Sequence, residues 1–333
     1  MENDIQQELF KVVRTKIPDH LSAADEIAKI LAISADSAYR RMRGEKPVSL
    51  DEVSKLCSHF KISVDQLMNI QTNAFLFFGK NVNSKNFSLN EYLGTILEYM
   101  NFMQKFKSKE LYYMCKDIPI FHHFPFRDLG AFKYYFWMKS LLHFPDFNSR
   151  KFSLDEYPDQ TFEIGRKILK LYNQMTSYEL WNFESLNSTL RQIEFYHDSN
   201  LFVSDVEVAR VYDALENFID HLQKQAELGY KFDAGDASMT PLGGFKMYFN
   251  EVVALDNSAL GVLDGSKVAF QNHTVLNVMM TRDIPFCDHV HETVQMLMRK
   301  STLISSVSEK ERLRFFKRMR EKIQSRKRVL NTN

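Results

Sequence analysis

Apolar positions recur at helical spacing along most of this chain, and the polar residues between them supply the helix starts and stops. Ile5, Leu9, Val12 and Val13 predict an opening helix over residues 4–16, closed by Pro18. Residues 22–44, SAADEIAKILAISADSAYRRMRG, read as two short helices about a tight turn. Ser22, with Asp25 three residues on, opens the first as an acidic variant of the capping box, and Ile27, Ile30 and Leu31 share its inner face. The turn falls at Ala32 and Ile33. Ser34 caps the second helix, residues 35–43, where Ala38 and Met42 face inward, and Gly44 stops it. Ser49 with Glu52 opens a helix through Phe60, and Ser63 with Gln66 opens a short fifth, so this lobe closes near Ile70.

Residues 71–87 change character. The apolar patch Phe75, Leu76, Phe77 and Phe78 is expected to dock on the domain that follows, and the polar run 81–86 reads as a loop. Helical spacing then returns: Ser88 with Glu91, Ser153 with Glu156, and Ser204 with Glu207 are three further capping boxes, and Gly229 closes the last long helix. Beyond residue 234 the period shifts toward two. Residues 245–255, 259–263, 267–272 and 275–281 read as strands, with Asp264-Gly265 as a type I′ hairpin turn. Pro285 starts a helix through about residue 301, and Ser308 with Glu311 caps a final one. The pattern therefore predicts a mainly α chain: a five-helix N-terminal domain (1–70), a linker (71–87), an all-helical bundle (88–233) and a small α+β part (234–333) with an antiparallel sheet of three or four strands.

Small residues at Ala28 and Ala32 permit the close crossing that a helix-turn-helix needs. With Ile27-Ala28, Ile33-Ser34, Tyr39, Met42-Arg43-Gly44, the run Pro47, Ser49, Leu50 and the stretch from Phe60 to Leu67, the first 70 residues resemble the Cro/CI-repressor (XRE-like) type of DNA-binding domain. Family members often carry Gly in the turn, where this chain has Ala32. The resemblance implies that the second helix of the pair enters the major groove, with Ala35, Asp36, Ser37, Tyr39, Arg40 and Arg41 at or near base edges. Arg41 would bond guanine and Asp36 would accept from a cytosine amino group. Arg40, Arg43 and Lys46 would meet phosphates, which position the protein without reading sequence.

Charge sharpens this expectation. The whole chain of 333 residues carries a net +1, and residues 1–70 hold 10 Lys and Arg against 11 Asp and Glu. Binding would then rest on one small basic cluster, weak for a monomer, which argues for a homodimer on two half-sites. The three cysteines, Cys57, Cys115 and Cys287, are widely spaced and favour a reducing, cytoplasmic setting, and no apolar run approaches a membrane span.

Three other stretches carry candidate chemistry. The run 309–328 has a net charge of +7, with Leu313, Phe316, Met319 and Ile323 as an apolar stripe; a solvated basic face is the plain reading, with a second phosphate or nucleic-acid contact and an anionic membrane surface as the alternatives. Residues 118–147 are dense in Phe, Tyr and Trp. They form either plain core or a pocket for a small molecule or peptide, with His122, His123, Arg127 and Trp137 as its candidate lining. Cys287, His289 and His291 do not share one helix face and have no fourth ligand at recognisable spacing, so no metal is expected. Phosphate-loop, dinucleotide, HExxH and GxSxG signatures are absent, and neither a cofactor nor an enzymatic activity is expected.

The sequence thus points to a sequence-specific DNA-binding transcriptional regulator with a C-terminal sensing or dimerisation region. Two alternatives stay open: a protein-interaction scaffold with a degenerate helix-turn-helix, and a DNA reader fused to an enzymatic effector.

Overall fold

Helix caps and buried apolar stripes delimit the N-terminal helices. The computed structural model of the chain describes residues 5–14, 16–17, 21–60, 62–67, 75–79, 88–253, 256–274 and 276–330, and it divides into two compact units, Met1–Ala74 and Phe75–Asn333. The first unit holds α1 (Ile5–Arg14), α2 (Ala23–Leu31), α3 (Ala35–Met42), α4 (Leu50–Phe60) and the short α5 (Val64–Leu67). Its core is Leu9, Phe10 and Val13 of α1, Ile27, Ala28 and Leu31 of α2, Ala38 and Met42 of α3, and Leu56 and Cys57 of α4. Pro18 and the Gln66 side chain, to which the sequence gives an end-of-helix and a capping role, lie outside the described residues.

The second unit is built on a sheet. In chain order it contains β1 (Phe78–Gly79), α6 (Leu89–Met103), β2 (Lys109–Cys115), α7 (Arg127–Phe136), α8 (Glu163–Asn173), β3 (Thr176–Trp181), α9 (Asn187–Asp198), α10 (Asp205–Leu228), β4 (Phe245–Phe249), β5 (Ala259–Leu263), β6 (Ser266–Thr274), β7 (Asn277–Thr281), α11 (Ile284–Arg299), β8 (Thr302–Leu303) and α12 (Glu309–Leu330). Among the described residues eight strands join in one sheet, ordered β1-β7-β6-β5-β2-β3-β4-β8. The central β2, β3 and β4 run parallel, and the remaining neighbours pair antiparallel.

This corrects the expected fold class. The described residues are 56% helix and 15% strand, so helix does dominate, but the stretch read as an all-helical bundle contributes two central strands to a large mixed sheet. The small antiparallel part of three or four strands is the flank of that sheet. Burial explains the misreading. Along β2, Leu111 and Cys115 join one core while Tyr112 and Met114 join another on the opposite face. A strand buried on both sides shows no alternation for a period-two search to find.

Several local expectations hold. Asp264 and Gly265 both adopt positive φ, as a type I′ turn requires, between β5 and β6. Phe75 and Phe77 pack on Phe286 of α11, and Phe78 pairs with Met280, so the apolar patch packs into the second unit as its first segment. The polar run 81–86 lies outside the described residues.

The basic α12 lies along α10 with Phe315, Phe316, Met319 and Ile323 buried, while Leu313 is half exposed. Its cations are largely engaged: Arg320 meets Asp220 at 2.7 Å, Lys327 meets Glu216 at 2.8 Å and Asp213, and Lys322 donates to Phe183 O at 2.6 Å. Arg314 pairs with Glu251 at 3.2 Å. Most of the +7 run is therefore met by acidic partners of its own unit. No helix among the described residues is long and apolar enough to cross a membrane.

Candidate functional site

The α2–α3 pair is fixed by its caps. Ser22 Oγ accepts from the Asp25 N–H at 3.4 Å, and Ser34 Oγ accepts from the Ser37 N–H at 3.2 Å. Between them Ala32 sits in the left-handed region at φ 54° and ψ 47°. The N–H groups of Ile33 and Ala32 close back on the carbonyls of Ala28 and Lys29, which is a Schellman stop. Gly44, at φ 80°, ends α3 in the same way, with Glu45 and Gly44 donating to Arg40 O and Arg41 O.

Gln6 of α1 orders the segment that follows. Its amide nitrogen donates to Arg41 O and Lys46 O, both at 2.8 Å, and its amide oxygen accepts from the Val48 N–H at 3.0 Å. Nothing in the sequence singled out Gln6, because its partners lie about 40 residues away.

Of the residues assigned to DNA, Ala35, Asp36, Tyr39, Arg40, Arg43 and Lys46 are exposed and Ser37 is half-buried. Tyr39, Arg40 and Arg43 stand three, four and seven residues after Asp36, so the four form one stripe along α3 and its C-cap. The Arg43 guanidinium lies 5.7 Å from the Tyr39 ring centroid. Glu45 sits among the cations, 2.9 Å from Arg43 and 3.8 Å from Arg40.

Arg41 is placed differently. It is 6% exposed and turned into the unit, where Nε and Nη2 donate to Glu52 at 3.2 and 2.8 Å and Nη1 donates to Ser37 O at 3.2 Å. Glu52 also closes a reciprocal capping box, accepting from the Ser49 N–H at 3.0 Å while its own N–H donates to Ser49 Oγ at 3.2 Å. Burial raises the pKa of the Glu52 carboxyl, but the hydrogen bonds from Arg41 and Ser49 and the charges of Arg41 and Lys46 outweigh it and hold the group below its ordinary value. Arg41 therefore ties α3 to the start of α4, and the cations that face outward are Arg40, Arg43 and Lys46.

The four residues proposed for a pocket separate in the second unit. His123 and Trp137 line a cavity of about 130 Å³. Arg127 instead donates to Leu154 O and Tyr157 O. His122 turns to the buried Glu179, with Nε2 at 3.0 and 3.1 Å from its two oxygens. The Tyr172 hydroxyl and the Trp181 ring N–H also donate to Glu179. Lys231, wholly buried, donates to Ser177 Oγ at 3.1 Å and lies 3.9 Å from the Tyr172 ring centroid. Burial lowers its pKa to about 7 against the pull of the Glu179 charge. Sequence reading passed over Glu179 and Lys231. The one signal for Glu179 was its place between Ser177 and Trp181 at alternate positions of a strand, which marks an inward face.

Cys57, Cys115 and Cys287 are free and buried. His289 is exposed, whereas His291 stands edge-on to the Tyr112 ring. Among the described residues no group of three or more His, Cys, Asp or Glu is placed to hold a metal.

Compared with known proteins, residues 6–76 match the BetR domain, a domain family associated with DNA binding. The match spans α1 to α5, the elements that carry the exposed stripe. No curated protein and no solved structure matches the chain.

Proposed function

We propose that this chain is a sequence-specific DNA-binding transcriptional regulator that acts as a homodimer, with α2 and α3 as a helix-turn-helix of the XRE-like kind. The single observation that carries the reading is the outward stripe of α3, Asp36, Tyr39, Arg40 and Arg43, displayed by a unit that matches a DNA-binding-associated domain. In this reading Asp36, Ser37 and Tyr39 reach base edges, and Arg40, Arg43 and Lys46 meet phosphates. The second unit dimerises or senses a signal, and the chain carries no catalytic chemistry of its own.

The number of cations sets the need for two copies. Three phosphate contacts per copy give a slope of about −2.7 in log affinity against log salt, and two copies about −5. The test is selection of genomic fragments by the purified protein at two salt concentrations, repeated with Arg40→Ala/Arg43→Ala. Recovery of a pseudo-palindromic site, lost in the double variant, supports the regulator. Glu45, which pairs with both arginines, is the observation that favours the scaffold instead. Absence of enrichment at either salt moves the assignment to that reading.

A further inference from the structure

The cavity in the second unit has the composition of a binding site for one kind of molecule. It lies between α6, the sheet and α7, and besides His123 six aromatic rings line it: Tyr92, Tyr99, Tyr113, Phe121, Trp137 and Phe270. Met100 and Met103 complete the wall with polarisable thioethers that adapt to a ring edge. At about 130 Å³ the space compares with apolar cavities of roughly 150 Å³ that take up benzene.

Its charged residues are already committed. The Asp117 carboxylate accepts from Lys133 Nζ at 3.3 Å and from Thr189 Oγ1 at 3.1 Å, and Lys133 also donates to Gln192 Oε1 at 2.9 Å. A charged ligand would find no free counter-charge here and would lose its hydration on entry.

Two polar side chains are left over. Both ring nitrogens of His123 and the Trp137 ring N–H are buried without a hydrogen-bond partner among the described residues. Burial, reinforced by the charges of Lys133 and His122, pushes the His123 pKa well below the usual histidine range, so the ring is neutral and offers one donor and one acceptor. The two rings stand edge-to-face with centroids 6.3 Å apart. Buried polar groups are rarely left unpaired, and each specific exception calls for an explanation. The helix is also irregular at this point: α7 runs directly into a single π turn, Trp137–Leu141, closed by the Leu142 N–H on Trp137 O at 3.0 Å. Single π turns are frequent at functional sites.

We propose that this cavity binds a small neutral aromatic molecule of the phenol class, with the ring between Tyr99, Phe121 and Met103 and the hydroxyl shared by His123 and Trp137. The hydroxyl oxygen accepts from the Trp137 N–H, and its hydrogen is donated to the bare nitrogen of His123. This assignment stands on the cavity alone and does not depend on DNA binding, so the two readings fail independently.

Titration calorimetry and thermal melting of the full-length protein test it with phenol, toluene and benzoate as probes. Phenol at tenfold excess over its Kd should raise the melting temperature by about 4 °C. It should bind at least tenfold more tightly than toluene, which lacks the hydroxyl, or benzoate, which carries a charge. Ala259→Leu, which fills the cavity from β5, should abolish the heat of phenol binding. Its melting temperature without ligand controls for folding. His123→Phe keeps a ring but removes both nitrogens, and should bring phenol down to the affinity of toluene. Equal binding of phenol and toluene to the unmodified protein would overturn the polar anchor. No saturable binding of either would overturn the site.

Discussion

Arg41→Ala separates a residue that reads DNA from one that holds the reader together. The substitution removes two charge-assisted bonds to Glu52 and one to Ser37 O, and leaves the Glu52 carboxylate with the Ser49 N–H. Breaking a buried pair by removing one partner costs about 3–5 kcal/mol. The Glu52 side chain is 17% exposed and can regain some water, which brings the expected loss to about 2–3 kcal/mol. Each 1.4 kcal/mol is a factor of ten, so amides of α3 and α4 should exchange with solvent roughly 50-fold faster in the full-length variant. Arg41→Lys should recover part of this, since a lysine supplies the charge without the fork. Acid should reproduce the effect. The folded pKa of Glu52 lies below its unfolded value, so its contribution is fully present above about pH 4.3. That contribution is lost as the pH falls through the folded pKa, and the difference between wild type and Arg41→Ala should close in that window. Arg40→Ala, by contrast, should weaken DNA binding and leave exchange unchanged. Unaltered exchange in Arg41→Ala, together with lost preference at one base pair, would refute the reasoning and return Arg41 to the groove.

Ala32→Gly relieves a left-handed alanine at about 1–2 kcal/mol but loosens the unfolded chain by 0.5–1 kcal/mol, so urea denaturation should show a net gain of about 0.5–1 kcal/mol. Gly165→Ala places a Cβ 2.4 Å from Phe124 Cδ1 in a packed core and should cost about 1–3 kcal/mol, read as a lower melting temperature of the second unit. Lys231 releases its proton near pH 7 when folded, far below its unfolded value near 10.4, so the folded state binds fewer protons than the unfolded state between these limits and its stability rises with pH there. The stability advantage of Lys231→Met over wild type should therefore be largest at pH 7 and shrink toward pH 10; an advantage independent of pH would contradict a buried titrating amine.

The first unit was legible because its signals are local. Ser22, Ser34 and the Ser49–Glu52 box act within three residues, and the structure uses all three as caps. The inward turn of Arg41 was hidden for the complementary reason: its exposed neighbours Arg40 and Arg43 have the same chemistry, and its carboxylate partner Glu52 lies eleven residues on. In the second unit the later strands announced themselves through the Asp264-Gly265 turn, whereas β2 and β3 did not. They pair in parallel across a connection of some 60 residues and are buried on both faces, so neither a hairpin turn nor an alternating pattern marks them. The same distance hid the cavity. Phe121, His123 and Trp137 come from the aromatic stretch, but much of the remaining wall arrives from α6 and the sheet, which no spacing rule connects to it.

The placement of α12 has a consequence for synthesis. Phe315, Phe316, Met319 and Ile323 complete the main core of the second unit, so that core stays open until α12 has been made. The first unit ends at Ala74, about 250 residues before Ile323 is added, roughly 12–50 s at ordinary elongation rates. During that interval a nascent chain would present a complete N-terminal unit attached to an unfinished C-terminal one. Messages truncated before α12 would yield a product whose N-terminal unit folds while the exposed core of the remainder marks it for proteolysis.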